Sequence, residues 1–253
     1  MKDAIKREWQ GFWLCMSFLT RIPVPIQIDY SQRLMNQSSV YFPLVGLILG
    51  GLYAGLFLVL EGLFSPLIGV LGALIFHLWI TGAFHEDGLA DALDALGGGF
   101  TVEKRLAIMK DSRIGTYGTV ALVMALGLKV ALLLELEAIW VALLVTPVLA
   151  RLTPLFLMSL MPYVTEMDTS KTKPIADTFS MHRLTAAAAV SVLVAGFFGG
   201  WLEGLMNAFV VGVALTALLW GLQLRRTLGG YTGDALGASV VLAELGILAL
   251  LVL

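Results

Sequence analysis

Seven apolar stretches of membrane-spanning length run through this chain of 253 residues. A helix needs about 20 apolar residues to cross the hydrocarbon core of a bilayer. Its backbone groups must bond to each other, because lipid offers them no partners. The predicted spans are residues 41–60, 66–84, 117–136, 138–161, 185–201, 204–222 and 236–253. The sequence therefore predicts an all-α fold, with residues 1–253 as one integral membrane domain built from a polytopic bundle of about seven transmembrane helices.

The composition agrees with a membrane protein. Only 13% of the residues are charged, against about 25% in soluble proteins, and the mean hydropathy is +0.89. The net charge of −2 gives no indication of nucleic acid as a partner. The single cysteine, Cys15, excludes an intramolecular disulfide and a multi-cysteine metal site, and we expect it to be an apolar filler.

The N-terminal segment is harder to assign. Residues 1–8 lack an apolar core and a cleavage site, so we expect no removable signal peptide. Residues 9–19 are apolar and aromatic but short, and they end at a turn with the sequence RIPVP. This pattern favours a short interfacial or re-entrant helix. An eighth span is the alternative.

Basic residues are distributed very unevenly over the two sides of the predicted bundle. Fourteen of the 16 lysines and arginines precede the first span or lie in the second, fourth and sixth connections. Because cytoplasmic loops carry the excess of basic residues, we expect the N-terminus and the long loops to be cytoplasmic, in a multi-pass protein of the cytoplasmic (inner) membrane. The polar, glycine-rich sequence lies on that side, which predicts an active site on loops 85–118, 162–184 and 223–235.

Two basic residues fall inside predicted spans. We expect Lys129, toward the outer end of its span, to extend to the outer face. Arg151 lies in the fourth span, where a charge costs at least about 2.5 kcal/mol. Either Glu244 of the last span or a substrate phosphate would offset that cost.

An acidic run follows the second predicted span, where residues 85–99 read HEDGLADALDALGGG. In a helix, Asp87, Asp91 and Asp94 lie at positions i, i+4 and i+7, on one face. Their charges repel each other unless a cation binds, and carboxylate oxygens are the ligands that Mg²⁺ prefers. The run predicts a Mg²⁺ site on Glu86, Asp87, Asp91 and Asp94. The alternative is a solvated acidic loop.

Cations and glycines follow in residues 110–118. Lys110 and Arg113 could bind an anionic substrate bridged to the metal, although basic residues also occur here simply as membrane anchors. Gly115 and Gly118 flank the start of the third span, whose N-terminus favours phosphate. Thr101 is a candidate N-cap of a short preceding helix.

Two further loops carry polar residues. Residues 229–237 read GGYTGDALG, in which Asp234 could bind metal, orient a nucleophile or cap the last helix. The loop 162–184 is long enough to form a lid, and the alternative is a solvated loop. Its ionisable residues include Glu166, Asp168, Lys171, Lys173, Asp177 and His182. We expect His77 to be a core residue.

Four motifs occur together in a specific order: LTRIPVP at 19–25, the acidic run at 86–94, residues 110–118 and residues 229–237. Over essentially the whole chain they resemble the cobalamin synthase (adenosylcobinamide-GDP ribazoletransferase) family. The resemblance implies a Mg²⁺-dependent enzyme of the cytoplasmic membrane. Such an enzyme joins adenosylcobinamide-GDP to α-ribazole or its 5′-phosphate, and it releases adenosylcobalamin or its 5′-phosphate together with GMP.

Residue roles follow for that reaction, because phosphoryl transfer depends on positioning and charge neutralisation. Lys110, Arg113 and Arg151 are the candidate phosphate-binding residues, and Asp94 and Asp234 are the candidate catalytic residues that take the hydroxyl proton. Further candidate substrate contacts are Arg21, Gly230 and Thr232. Besides the two substrates and the lipid bilayer, we expect a second copy of the chain or other cobalamin-assembly enzymes as partners.

Two alternative functions would use the same acidic residues. A CDP-alcohol phosphotransferase that makes phospholipids has the same reaction type, but its Asp-Gly-x-x-Ala-Arg pattern is broken here by Asp91-Ala92. A divalent-cation transporter could use the acids as a transport site. Transport sites usually lie near the membrane midplane on broken helices, whereas these acids are predicted at the cytoplasmic boundary.

Overall fold

A computed structural model describes residues 2–164 and 180–253. Within these residues the chain is helical, which confirms the all-α prediction. The helices are α1 (Lys2–Leu19), α2 (Gln32–Ser38), α3 (Phe42–Leu63), α4 (Pro66–Thr81), α5 (Phe84–Gly98), α6 (Val102–Met109), α7 (Thr116–Leu134), α8 (Ile139–Ala150), α9 (Thr153–Leu160), α10 (Met181–Phe198), α11 (Leu205–Thr227) and α12 (Gly233–Val252). A short 3₁₀ turn, Ser39–Tyr41, joins α2 to α3.

The membrane-spanning elements agree with the prediction. Among the described residues, six helical segments are long and apolar enough to cross a bilayer: Gln32–Leu63, Thr116–Leu134, Ile139–Leu160, Met181–Phe198, Leu205–Thr227 and Gly233–Val252. A seventh arises if α4 and α5 together count as one broken span, since they bend by 84° at their junction. These six segments lie where six of the seven expected spans were predicted, whereas the predicted span 66–84 breaks after α4 and reaches spanning length only together with α5.

The sharp bend between α4 and α5 determines where the acidic run lies. Gly82 ends α4 in the left-handed conformation with φ of 69°, and Ala83 follows with φ of 56°. A side chain at Gly82 would be strained at this φ, and its Cβ would displace the guanidinium of Arg21, whose Nε would lie 2.6 Å away. The backbone N–H of Arg21 also donates to the carbonyl of Ile80 at 2.7 Å. The α4–α5 corner is therefore held by the segment that follows α1.

Close packing of α3 against α8 forms the centre of the bundle. Gly46 and Gly50, four residues apart on α3, lie directly against the α8 backbone at Pro147 and Leu144. Small residues at this spacing let helices in membranes approach until their backbones touch. As a result α8 is buried along nearly its whole length.

The N-terminal helix is longer than predicted. It begins at Lys2 rather than at residue 9, and it does not qualify as a membrane span. Cys15 is buried in the core and unpaired, as expected of an apolar filler. Glu8 accepts hydrogen bonds from Tyr41 at 2.6 Å and from Nη2 of Arg183 on α10 at 2.6 Å. Burial raises the pKa of Glu8, but these two hydrogen bonds outweigh it and lower the pKa overall, so the carboxylate stays charged and fastens α1 to α10.

We predict that Gly50→Ala destabilises the protein whereas Gly51→Ala does not. A Cβ at Gly50 would overlap the Leu144 carbonyl, and overpacking of this kind costs about 1–3 kcal/mol. A Cβ at Gly51, one residue along the same helix, meets nothing within 4 Å. Thermal unfolding of both variants in detergent measures the difference. Equal melting temperatures for the two variants would contradict the α3–α8 packing.

Candidate active site

The site forms where α5 meets the start of α12. Gly88 of α5 lies so close to Asp234 of α12 that a Cβ at Gly88 would be 2.7 Å from the Asp234 carbonyl oxygen. Gly237, one turn along α12, lies against the backbone of His85. The two contacts bring together an acidic helix and a glycine-rich turn that are almost 150 residues apart in the sequence.

Three aspartates collect at this junction: Asp87 and Asp91 from α5 and Asp234 from α12. We call them the acidic triad. Asp87 is exposed, and Asp91 and Asp234 are partly buried. Asp87 directly precedes Gly88, which contacts the backbone of Asp234, and Asp91 lies one turn further along α5, within electrostatic range of Asp87, Asp234 and Asp94. The sequence had placed Asp87 and Asp91 on one face, and the structure adds Asp234 to them.

Glu86, predicted as a metal ligand, points elsewhere. Its side chain is buried inside the bundle, and Oε1 is 3.0 Å from Nε2 of His77 on α4. The pair bridges the α4–α5 bend, and it confirms His77 as a core residue. Oε2 of Glu86 has no hydrogen-bond partner among the described residues. The structure thus separates Glu86 from the acidic triad.

Asp94 is also engaged within the protein. One carboxylate oxygen accepts from the backbone N–H of Gly115 at 2.6 Å, and the other from that of Gly118 at 2.8 Å. These amides belong to the first turn of α7, where four N–H groups lack partners within the helix. The N-terminus of α7, predicted to favour a substrate phosphate, therefore already has an anion of the protein at this position.

The start of α12 is capped by Thr232 and not by Asp234. The Thr232 hydroxyl accepts from the backbone N–H of Ala235 at 3.1 Å and lies 3.5 Å from Sδ of Met109 on α6. The capping role considered for Asp234 is therefore wrong. Thr232, a predicted substrate contact, is buried in this cap. The preference of threonine for N-cap positions was a signal in the sequence that could have identified it.

Neighbouring loops come to the same end of the bundle. Tyr231 donates its backbone N–H to Pro162 at 3.0 Å and accepts from Val164 at 3.0 Å. Gly230 is buried against the Pro162 carbonyl, which excludes a side chain there. Arg105 of α6 donates to the carbonyl of Thr227 at 2.7 Å, a link that the sequence did not reveal. Residues 165–179 of the predicted lid, including Glu166, Asp168, Lys171, Lys173 and Asp177, lie outside the described residues.

Two exposed cations lie in the connection between α6 and α7. Lys110 ends α6 and is exposed, and Thr101 caps the start of that helix as predicted, accepting from Lys104 at 3.2 Å. Arg113 is exposed too, and its Nη2 is 2.6 Å from Oδ2 of Asp111. The hydrogen bonds from Arg113 lower the pKa of Asp111 to about 2. Both cations lie in the chain between α6 and α7, which both pack against α5.

Arg151 does not belong to this group. Its side chain is 0% exposed, with Nη1 2.8 Å from the Pro147 carbonyl and 4.0 Å from Oε1 of Glu244. The second oxygen of Glu244 binds Nζ of Lys129. The structure supports the alternative in which Glu244 offsets the charge of Arg151. The expectation that Lys129 extends to the outer face is wrong, because this buried ion pair holds it inside.

A metal site is not already assembled in the described part of the chain. No group of three or more His, Cys, Asp or Glu side chains is arranged there to hold an ion. The donors of the acidic triad are nevertheless hard carboxylate oxygens that repel each other, which is the chemistry that fits Mg²⁺. Glu86 and Asp94 do not fit this set, since Glu86 is buried with one oxygen on His77, and both oxygens of Asp94 accept from the α7 amides.

Comparison with known proteins gives one consistent family. The family model described as cobalamin-5-phosphate synthase matches residues 11–252. The chain is 41% identical to the adenosylcobinamide-GDP ribazoletransferase of Shewanella woodyi, over 96% of this chain and 95% of the relative. It is also 41% identical to the enzymes of the same name from Vibrio parahaemolyticus (96% and 91%) and Vibrio cholerae (97% and 94%). No solved structure matches the chain.

We predict that Arg151→Met lowers the melting temperature strongly. The change leaves Glu244 with one fewer cation in an apolar interior, and breaking a buried charge pair costs about 3–5 kcal/mol. The control is Arg226→Met, which removes an exposed cation from the last turn of α11. Thermal unfolding in detergent compares the two. If both variants melt like the unaltered protein, the buried cluster of Lys129, Arg151 and Glu244 does not stabilise the fold.

Proposed function

Because the chain belongs to the cobalamin-5-phosphate synthase family, we propose that it is an adenosylcobinamide-GDP ribazoletransferase. It joins adenosylcobinamide-GDP to α-ribazole or α-ribazole 5′-phosphate, and the products are adenosylcobalamin or its 5′-phosphate and GMP. The near full-length relatives of that name support this activity over phospholipid synthesis or cation transport.

The observation that carries the proposal is the acidic triad, formed by two helices at the Gly88–Asp234 contact. A pyrophosphate substrate needs cations beside its oxygens and a group that removes a proton from the attacking hydroxyl. The triad offers carboxylates, and the neighbouring segment between α6 and α7 offers Lys110 and Arg113. Both kinds of charge thus lie at one end of the bundle.

We propose Mg²⁺ as the cofactor, held by Asp87, Asp91 and Asp234. When bound, the ion would neutralise charge on the pyrophosphate. The gathering of these three carboxylates at the Gly88–Asp234 contact supports the proposal, since like charges held close together favour a divalent cation between them. Side-chain rearrangement would accompany binding, because the described residues do not form a ready metal site.

The protein's residues then have separate tasks. Lys110 and Arg113 bind the phosphate oxygens. To do so, Arg113 gives up its ion pair with Asp111 and pairs with a substrate phosphate instead. A ribose hydroxyl attacks the phosphorus attached to cobinamide, a new P–O bond forms, and the bond to the GMP oxygen breaks. GMP leaves with the electron pair of that bond. A carboxylate accepts the hydroxyl proton, and of the two candidates we propose Asp234, because both oxygens of Asp94 are engaged with α7.

We further propose that this end of the bundle faces the cytoplasm, in the cytoplasmic membrane. The basic residues Lys104, Arg105, Lys110 and Arg113 lie on the same side of the spans as the triad, as do Arg225 and Arg226 at the end of α11. Excess positive charge on one side is typical of the cytoplasmic face. Water-soluble substrates would then reach the triad from the cytoplasm.

We predict that the purified protein in detergent or lipid releases GMP from adenosylcobinamide-GDP only when α-ribazole and Mg²⁺ are both present. Transfer needs the hydroxyl acceptor, and the carboxylates need a cation before they can approach a pyrophosphate. Chromatographic measurement of GMP, with EDTA and no-acceptor controls, tests this. A folded protein that releases no GMP under these conditions would refute the activity, and release in EDTA would refute the metal requirement.

We predict that Asp87→Asn and Asp91→Asn each reduce turnover by a factor of about 100 or more while the protein remains folded, since each removes a charge from the site that binds metal and phosphate. The matched control is Asp29→Asn. Asp29 is an exposed aspartate that contacts Gln10 and Lys6 near the N-terminus, and its variant should keep the normal rate. Initial rates of GMP release, beside melting temperatures, provide the comparison. Normal rates for both triad variants would show that the triad is not the site.

A further inference from the structure

We infer that Asp94 is a positioning residue. It fastens the N-terminus of α7 to α5 and so places the cation-bearing segment 110–115 beside the acidic triad. This role differs from the metal binding or proton transfer that its place in the acidic run suggests. This role rests on the proposed function in one respect, namely that Lys110 and Arg113 bind the substrate phosphates.

The hydrogen bonds of Asp94 carry the inference. The two oxygens bind two different amides, at 2.6 and 2.8 Å, and these belong to residues 21 and 24 positions further along the chain. The side chain is only 8% exposed. Bonds from amides to a carboxylate are stronger than those between neutral groups, and the anion also lies at the positive end of the helix dipole. Asp94 is therefore a cap supplied to α7 by another helix.

The surrounding glycines show how tightly this cap fits. A Cβ at Gly115 would lie 2.5 Å from Oδ1 of Asp94. A Cβ at Gly118 would overlap the same carboxylate and would lie 2.8 Å from the carbonyl of Ala90. The α7 backbone reaches Asp94 only because neither residue has a side chain.

The segment between α6 and α7 is therefore fixed at both ends. Thr101 caps α6, and Arg105 of that helix is bonded to Thr227 at the end of α11. Asp94 fixes the other end at Gly115. Arg113 is 87% exposed, and among the described residues its side chain bonds to Asp111, two positions away. Its position therefore depends on these two attachments. Asp94 would thus affect substrate binding through the cations and not by touching the substrate.

The experiment compares Asp94→Asn with Asp87→Asn in the full-length protein. Asparagine has nearly the same shape as aspartate. One of the two accepting oxygens is replaced by an NH₂ group, which cannot accept a hydrogen bond and would face a backbone N–H of α7. We expect faster hydrogen–deuterium exchange in peptides covering residues 110–120, unchanged Mn²⁺ affinity and a KM for adenosylcobinamide-GDP raised about tenfold with little change in kcat. For Asp87→Asn we expect the opposite pattern, with weaker Mn²⁺ binding and normal exchange.

A second pair of variants tests the contact from the α7 side without altering any acid. Gly118→Ala should reproduce the exchange and KM effects of Asp94→Asn. Gly127→Ala, on the same helix where a Cβ meets nothing within 4 Å, should behave like the unaltered protein. The Gly118 variant keeps the inference testable even if Asp94→Asn does not fold.

The inference is overturned if Asp94→Asn weakens Mn²⁺ binding as Asp87→Asn does, or if exchange in residues 110–120 is unchanged in both Asp94→Asn and Gly118→Ala. Failure of the proposed function looks different. It would appear as an unaltered protein that binds no Mn²⁺ or releases no GMP, and the exchange measurement would still decide whether Asp94 holds α7.

Discussion

The close backbone contact between α5 and α12 is the constraint on which the site depends. Gly88 allows the two helices to touch at Asp234, and only this contact adds an aspartate of the last helix to Asp87 and Asp91. The 84° bend after α4 turns α5 toward that contact. Gly82 makes the bend possible, and Arg21 and the His77–Glu86 pair hold it in place.

Charges buried in the apolar interior hold the remaining helices in register. Glu244 of α12 binds Lys129 of α7 and lies 4.0 Å from Arg151, which follows α8. Burying any one of these charges alone in a bilayer would be costly, so each requires the others. The same helix α12 carries Asp234 at its start, and the buried cluster therefore also fixes the helix that completes the acidic triad.

The acidic run shows how tertiary contacts assign different roles to similar side chains. Helical spacing correctly placed Asp87, Asp91 and Asp94 along α5, but spacing treats them as equivalent. In the structure, Asp94 accepts hydrogen bonds from the amides of α7 and Glu86 pairs with His77. Asp87 and Asp91 lie beside Asp234. Likewise the capping of α12 belongs to Thr232, so the role of Asp234 does not lie in holding its own helix.

The sequence alone determined the all-α membrane fold, the places of six of the spans and the helix that carries the acids, because hydrophobic length and helical period are local properties of the chain. It also indicated the family, since four ordered motifs resemble it. Only the tertiary structure decided that α1 extends from Lys2, that Lys129 is buried against Glu244 and that Asp94 caps α7. Those outcomes depend on which residues distant in sequence meet, and backbone contacts at glycines such as Gly88 and Gly118 are set by packing that no local pattern encodes.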